Sequence, residues 1–502
     1  MTAPDAAPDP VVTPNTWEFL RDAQIAPSGF REYDARWKYP EAINLPGMTA
    51  LGLGLGTQMQ ARGIRPDIVV ANDYRDYSLA IKHALVIGLM QAGIRVHDIG
   101  PALSPMAYFA QFHLDVPAVA MVTASHNPNG WTGVKMGFDR PLTHGPEEMA
   151  ELRDIVLGGH GVARPGGAYA TVAGVEDAYL DDLAGDFRLS RPLRVVCATG
   201  NGTAGRFAPK LVARIGAEVI GLHERLDYTF PNYNPNPEAL EMLHDMADAV
   251  RSHGADLALG FDGDGDRCGV VDDEGEEIFA DKVGVLLARD WAAIHPGARF
   301  IADVKSTGLY ASDPVLAERG ATTEYWKTGH SHMKRRVRDT GALAGFEKSG
   351  HYFLAPPVGR GYDCGMRVAV EICRMMDRHA GASLSDLRRG LPVTYTSPTM
   401  SPFCADEEKY AVLERLVDRL QAMAAAGEGL AGHPVTGIVT VNGARVMLDH
   451  GGWALVRASS NTPNLVVVCE SPEGTDDLRA IFQAMDAVIR TEPAVGAYDQ
   501  SL

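Results

Sequence analysis

Cysteine is scarce in this chain, with six residues in 502: Cys197, Cys268, Cys364, Cys373, Cys404 and Cys469. None of their spacings is that of a metal-ligand set, and their apolar or strand-like surroundings suit buried free thiols in a reducing compartment. Basic residues are also in short supply, 46 Lys and Arg against 64 Asp and Glu. Nucleic acid and anionic membranes would both repel such a surface, so neither is expected as a partner. An anionic substrate would have to be drawn by locally clustered cations. Long apolar runs are missing too, so no membrane-spanning helix is expected. Residues 1–13 are rich in Ala, Pro and Asp and lack the basic start and apolar core of a signal peptide. Residues 1–14 are expected as a disordered tail, and the protein as cytoplasmic. What the chain does have is a hydrophobic fraction of 46%. That is enough for several cores, and at ~150 residues per domain the length suggests three or four domains.

Three segments echo one another. Ile68-Val69-Val70 leads through a polar loop and a helix to Ala92-Gly93-Ile94-Arg95-Val96; Val195-Val196 leads likewise to Ile215-Gly216-Ala217-Glu218-Val219; Phe300-Ile301 leads to Gly320-Ala321-Thr322-Thr323-Glu324-Tyr325. Each reads strand, loop, helix, glycine stop, strand, the βαβ grammar of a layered α/β domain. After residue 395 the pattern changes to a helix over about 407–424, strands near 438–441 and 445–448 joined by the hairpin signal Asn442-Gly443, strands near 454–457 and 465–469, and a last helix over about 475–489. That order predicts an antiparallel α+β domain. Linkers are expected at the Gly-rich 158–167 and the Pro/Ser/Thr-rich 392–402.

Chemistry concentrates first in Asp262-Gly263-Asp264-Gly265-Asp266-Arg267. Three carboxylates at alternate positions cannot converge without a cation to relieve their repulsion, and the two glycines allow the tight turn. The strand-like run 255–261 just upstream puts the carboxylates at a strand's C-terminal end. An EF-hand calcium loop would use the same three aspartates. It fails where Arg267 replaces the required glycine and where Asp273 replaces the bidentate glutamate. Magnesium suits the stretch better, since that ion prefers few carboxylates plus phosphate oxygens. Such a phosphate could sit on Ser125, in Thr123-Ala124-Ser125-His126-Asn127-Pro128, after the apolar run 118–122. Taken alone, that serine could equally satisfy a turn or cap a helix.

Two further stretches complete a set. Gly345-Phe346-Glu347-Lys348-Ser349-Gly350-His351 would pass alone for a solvated turn. Arg457-Ala458-Ser459-Ser460-Asn461-Thr462-Pro463 offers a planar cation with hydroxyl, amide and backbone donors, a match to a phosphate dianion. With all four in this order, the chain resembles the α-D-phosphohexomutase superfamily, specifically its phosphomannomutase/phosphoglucomutase branch, over essentially everything beyond the N-terminal tail.

The resemblance implies an α/β protein of three related mixed α/β domains plus a C-terminal α+β domain with an antiparallel sheet, arranged around a central cleft. The corresponding boundaries are 15–165 for a phosphoserine domain, 166–280 for a metal-binding domain, 281–395 for a sugar-specificity domain and 396–502 for a phosphate-binding domain. It makes Ser125 the phosphoryl carrier, and gives Asp262, Asp264 and Asp266 to Mg2+ beside the Ser125 phosphate. Glu347 and Ser349 would bind sugar hydroxyls, with Arg267, Lys305, His330 and His351 as further substrate contacts. Arg457, Ser459, Ser460, Asn461 and Thr462 would hold phosphate. Arg36 and Lys135 match active-site positions of the family, and Lys135 and His126 are the acid/base candidates. Trp37 stands where the family commonly has glycine.

The implied activity is intramolecular phosphoryl transfer in carbohydrate metabolism. A hexose 1-phosphate, of mannose or glucose or both, becomes the 6-phosphate through a phosphoserine enzyme and a hexose 1,6-bisphosphate that serves as intermediate and activator. The protein would be a phosphoprotein and a monomer or weak homodimer. A phosphoglucosamine mutase, a serine-dependent sugar phosphatase and a non-catalytic phosphosugar-binding protein are the alternatives.

Overall fold

The computed structural model describes residues 20–460, 462–500 and 502; the expected tail 1–14 and Asn461 lie outside the described residues. The chain divides into two compact units. One holds the described residues up to Glu277 together with Tyr362–Ser383, the other Ile278–Gly361 together with Leu384–Leu502.

In the first unit a six-stranded sheet runs Ala35–Lys38, Trp131–Gly137, Ala118–Val122, Asp67–Asn72, Arg95–Pro101, Ala168–Thr171. Its first two pairings are antiparallel and the other three parallel. Ala118–Val122 is buried at every residue, which is why it reads as an unbroken apolar run. The Gly-rich 158–167, expected as a linker, instead returns the chain to this sheet, whose last strand reaches Thr171, beyond the boundary expected at 165. A five-stranded sheet follows, in the order Glu277–Ile278, Cys268–Asp272, Leu257–Phe261, Arg194–Ala198, Glu218–Leu222.

Helix Gly365–Arg378 belongs to the first unit although it lies inside the expected third domain, 281–395. Its apolar face, including Val368, Ala369, Ile372, Cys373 and Met376, is buried in that unit. Gly365 starts the helix hard against the aspartate loop: its N–H donates to the Gly265 carbonyl at 3.1 Å, and a Cβ there would come within 2.3 Å of the Arg267 carbonyl oxygen. Sequence order carries no sign of so distant a partner.

The second unit has a four-stranded sheet, Thr322–Trp326, Arg299–Asp303, Ala344–Phe346, Tyr352–Leu354, with its last pairing antiparallel. It also has a five-stranded antiparallel sheet, Tyr395–Thr396, Leu465–Ser471, Trp453–Ala458, Ala444–Leu448, Val435–Val439, with helices Lys409–Ala425 and Thr475–Ile489 packed on it. This is the α+β arrangement expected after residue 395. Asn442-Gly443 departs from the expected two-residue hairpin, because Val439 pairs with Arg445 across a longer connection. A type I′ turn needs positive φ at both central residues; Gly443 has a φ of +82° and Asn442 does not take one.

All three βαβ echoes are real, each joining parallel strands. In the third, the expected single helix is broken into Leu309–Ser312 and Pro314–Glu318. The break falls at Asp313, whose carboxylate caps the second helix by accepting from Val315 N and Leu316 N, both at 3.0 Å. The six cysteines are buried and unpaired with one another. Burial pushes the Cys364 thiol up to about 11 and those of Cys373 and Cys469 up to about 12, which leaves them unreactive. No helix among the described residues is long and apolar enough to cross a membrane.

Candidate active site

Strands Asp67–Asn72 and Ala118–Val122 are parallel neighbours in register, Asn72 beside Val122, so the loops that follow them leave the sheet together. Ser125 lies in the second loop, buried, with a φ of +53°. For a residue with a Cβ this left-handed backbone costs ~1–2 kcal/mol and persists only where surroundings over-determine it. The first loop does so. Thr123 Oγ1 accepts from Ser125 N at 2.8 Å and donates to Asp73 Oδ2 at 2.8 Å. Arg75 Nη2 donates to the carbonyls of Ser125 at 3.0 Å and Asn127 at 2.7 Å, and Asp73 holds Arg75 at 3.2 Å. Asp73 and Arg75 escaped the sequence reading. The available signal was their place at the C-terminal end of a parallel strand, where such sheets gather ligands.

Asp262, Asp264 and Asp266 follow strand Leu257–Phe261 and are fully buried, with one oxygen of each within 4.8 Å of the others. Ser125 Oγ donates to Asp262 Oδ2 at 3.1 Å, which joins the two motifs. Burial, and then the charges of Asp266 and Asp264, push the Asp262 carboxyl well above the usual carboxylate range. Asp264 goes the other way: burial would raise it, but the Lys135 ammonium and its hydrogen bonds hold it low. Lys135 Nζ lies 2.8 Å from Asp264 Oδ2 and also binds Asp266. Burial alone would lower the Lys135 pKa; the two carboxylates outweigh it and keep the ammonium protonated. Ser104, at the start of helix Ser104–His113, donates to Asp264 Oδ2 at 2.5 Å, a contact with no sign in the sequence. The donor set fits a hard divalent cation: it is all carboxylate, it is over-charged, and Asp264 Oδ1 is buried with no hydrogen-bond partner among the described residues.

The remaining first-unit candidates surround this pair. His126 Nδ1 is 3.3 Å from Ser125 Oγ. Arg36 spans Asp34 at 2.9 Å and the Asn127 side chain at 2.5 Å, so it reaches the serine loop. Trp37 does not disturb that reach, because its indole is buried over Gly29, where a Cβ would meet the ring at 1.8 Å, and donates to the Ala26 carbonyl at 2.8 Å. Arg267 donates its backbone N–H to Asp262 Oδ1 at 3.3 Å and its guanidinium to Glu238, outside the loop, at 2.8 Å. Gly265 takes a φ of +71°. Gly263 is needed for proximity instead, since a Cβ there would come within 2.5 Å of the Ser125 carbonyl oxygen. Gly263→Ala should therefore push the aspartate loop off the nucleophile and lower kcat by ~10²-fold. Steady-state kinetics beside a thermal melt check this, and undiminished kcat in the folded variant would contradict it.

In the second unit Lys305, His330, Glu347, Ser349 and His351 lie in the loops following the C-terminal ends of strands Arg299–Asp303, Thr322–Trp326 and Ala344–Phe346. Glu347 is buried, accepts from Gly329 N at 2.5 Å, and pairs through its own N–H with the His351 carbonyl at 3.0 Å. Burial raises its carboxyl, His351 opposes this and Asp303 adds to it. His330 begins helix His330–Thr340, with its ring 6.3 Å from that of His351. Ser349 is half-buried in the same turn as Glu347.

The loop carrying Lys305 is held from the antiparallel sheet. Arg445 Nη1 donates to the Val304 carbonyl at 2.7 Å and the Ser306 carbonyl at 2.6 Å, with its guanidinium stacked between Tyr325 and Trp453. Glu470 Oε1 accepts from Gly308 N at 2.7 Å, Thr307 Oγ1 at 3.1 Å and Trp453 Nε1 at 2.9 Å. Neither charge drew notice in the sequence, although each stands among buried strand residues, the place where a charge needs a reason.

Arg457 is the next-to-last residue of strand Trp453–Ala458 and is buried, its Nη1 donating to the Ala458 carbonyl at 2.8 Å. In the loop beyond, Ser459 Oγ accepts from Thr462 N at 3.3 Å and from Thr462 Oγ1 at 2.8 Å. Buried Lys409 ties the loop down, donating to the carbonyls of Ser459 at 2.6 Å and Thr462 at 3.1 Å. Ser460 lies half-buried in the loop. Asn461 is outside the described residues.

Known proteins share both the sequence and the fold. Three family profiles match in succession: phosphoglucomutase/phosphomannomutase alpha/beta/alpha domain I over residues 27–160, domain II over 177–275 and domain III over 279–395. A phosphomannomutase/phosphoglucomutase of Pseudomonas putida is 33% identical over 480 residues, covering 94% of this chain and 97% of the relative. A phosphoglucomutase of Neisseria gonorrhoeae is 32% identical over 472 residues, covering 94% and 98%. The crystal structure of a phosphoglucomutase/phosphomannomutase family protein from Burkholderia thailandensis superposes with a TM-score of 0.84 at 30% identity, covering 93% of this chain and 98% of that one. With these likenesses running nearly end to end, over a chain that joins a strained serine to three buried aspartates, the protein belongs to the phosphoglucomutase/phosphomannomutase family of the α-D-phosphohexomutase superfamily.

Proposed function

We propose that the protein interconverts the 1- and 6-phosphates of mannose, glucose or both, with Ser125 as the phosphoryl carrier. The observation that carries this reading is the Ser125 hydroxyl, held in left-handed backbone and bonded to Asp262 of the buried aspartate cluster. The relatives' names, which cover both sugars, support it.

In the proposed cycle, phosphorylated Ser125 gives its phosphoryl group to O6 of a hexose 1-phosphate. The bond from phosphorus to Ser125 Oγ breaks, the bond to O6 forms, and the O6 proton passes to a base. The resulting 1,6-bisphosphate turns over and returns its 1-phosphoryl group to Ser125, with O1 taking a proton as it leaves. Asp262, Asp264 and Asp266 would hold magnesium, which supplies charge neutralisation for the phosphoserine and the transferring group. In-line positioning and electrostatics do most of the remaining work.

His126 faces Ser125 Oγ and is placed to move the proton. Lys135 is bound to Asp264 and Asp266, so it can serve only after leaving those carboxylates. Arg457 with its loop would hold the phosphate that is not reacting. Glu347, with a carboxylate that burial keeps from solvent, would read sugar hydroxyls together with Ser349.

An isomerase assay tests the proposal, using glucose 1-phosphate, mannose 1-phosphate and glucosamine 1-phosphate with a 1,6-bisphosphate activator and magnesium. The expected result is 6-phosphate from glucose or mannose substrates, abolished by EDTA and restored by Mg2+. Preference for glucosamine 1-phosphate would make the protein a phosphoglucosamine mutase, and inorganic phosphate as the main product would make it a phosphatase.

A further inference from the structure

At the end of the antiparallel sheet remote from the Arg457 loop, two histidines and two aspartates converge. His433 precedes strand Val435–Val439, Asp449 and His450 lie in the turn between Ala444–Leu448 and Trp453–Ala458, and Asp477 is in the first turn of helix Thr475–Ile489. Strand Trp453–Ala458 runs between this cluster and the phosphate loop, a separation of ~17 Å at 3.3–3.4 Å per residue. The cluster thus stands apart from the phosphate loop.

Its geometry has two sides. On one, Asp477 takes both imidazoles at hydrogen-bond length, Oδ1 to His433 Nε2 at 2.9 Å and Oδ2 to His450 Nε2 at 3.2 Å, while Ser471 Oγ donates to Asp477 at 2.6 Å. The rings lie stacked with centroids 3.7 Å apart. Two N–H groups aimed at one carboxylate set both rings in the Nε2–H tautomer, which leaves a lone pair on each Nδ1. On the other side both Nδ1 atoms face one oxygen, Asp449 Oδ1, each at 3.8 Å. That is too long for a hydrogen bond. It is near the spacing of two ligands on one ion, ~3.4 Å on a tetrahedron drawn with metal–ligand distances near 2.0–2.1 Å. His450 Nδ1 is buried with no hydrogen-bond partner among the described residues. One ligand atom from each of His433, Asp449 and His450 falls within 4.8 Å of the other two.

We propose that His433 Nδ1, His450 Nδ1 and Asp449 bind a first-row transition-metal ion of the zinc class, with Asp477 orienting both imidazoles from behind. Two nitrogens and one carboxylate suit Zn2+ rather than magnesium or calcium, which take oxygen donors. Asp449 is half-exposed, with 47% of its side-chain surface accessible, so a water or an outside ligand can complete the coordination. The site shares no residue with the aspartates of the active site and does not depend on their role.

The test uses untagged full-length protein in excess Mg2+, which saturates the three-aspartate loop, titrated with Zn2+ by calorimetry and with Co2+ by visible absorption. One equivalent should bind, with the intense bands of four-coordinate cobalt. Affinity should fall at least 100-fold in His433→Gln and in His450→Gln, and 10- to 100-fold in Asp477→Asn. Gly452→Ala keeps every ligand but should weaken binding as well, because a Cβ there would come within 2.6 Å of the His450 ring and displace it. Mutase activity without zinc should be unchanged in all four, which certifies their fold. Equal affinity in wild type and the histidine variants, or no binding to wild type, would overturn the site and leave the cluster as a proton-sharing network.

Discussion

Ser125→Ala is expected to abolish turnover, lowering kcat/KM by at least ~10⁵-fold, and to remove the one-phosphoryl mass increment from the purified protein. No other described hydroxyl donates to Asp262, so no neighbour can take over the role. The variant should fold. Alanine adopts the +53° φ of residue 125 at the cost serine already bears, and the loss of one hydroxyl bond to Asp262 removes ~1 kcal/mol. The loop's own anchors, Thr123, Asp73 and Arg75, are untouched. Ser125→Gly separates strain from chemistry, since it should melt slightly higher than the alanine variant and be as inactive. Intact-mass measurement beside the isomerase assay reads both effects, and an active, unphosphorylated alanine variant would sink the mechanism.

The second large effect is expected at Asp264. Its carboxylate takes Ser104 Oγ and Lys135 Nζ on one oxygen, and the other is buried with no hydrogen-bond partner among the described residues. Asp264→Asn keeps the shape and an acceptor for Ser104 but removes one of the three charges. A loss of several kcal/mol in transition-state charge stabilisation corresponds to ~10³-fold in kcat, and the Mg2+ concentration for half-activation should rise with it. Stability should move little, because Lys135 keeps Asp266 as a partner and the carboxyl of Asp262 sheds a repelling neighbour. Activity measured against Mg2+ concentration, beside a melt in EDTA, distinguishes this from misfolding. A variant with normal activity and normal Mg2+ dependence would show that the aspartates do not hold the catalytic ion.

Much of this arrangement could be read before the structure. The alternate aspartates pointed to a convergent cluster, and all three are buried together beside Lys135; strand Leu257–Phe261 and helix Thr475–Ile489 fall where apolar patterning put them. Local signals failed where the deciding partner is far away in sequence. Helix Gly365–Arg378 joins the first unit through contacts with residues nearly a hundred positions or more upstream, such as Gly265. Asn442-Gly443 has the composition of a tight hairpin, yet the register of the flanking strands sets a longer turn. Arg75, Ser104, Arg445, Glu470 and Lys409 each stabilise a functional loop from another element, and a single sequence does not say which loop a buried charge or hydroxyl will meet. These residues violate the simple inside-outside rule, and such violations gather where function is built.

Ser125 is proposed to pass a phosphoryl group to and from a hexose phosphate. The most direct measurement loads the protein with phosphorus-labelled glucose 1,6-bisphosphate, locates the label by peptide mass spectrometry, and then chases with unlabelled hexose 1-phosphate in the presence of Mg2+. The label should sit on Ser125 and leave within turnover times as hexose bisphosphate and hexose 6-phosphate. Label on another residue, or label that leaves Ser125 only as inorganic phosphate, would contradict the account.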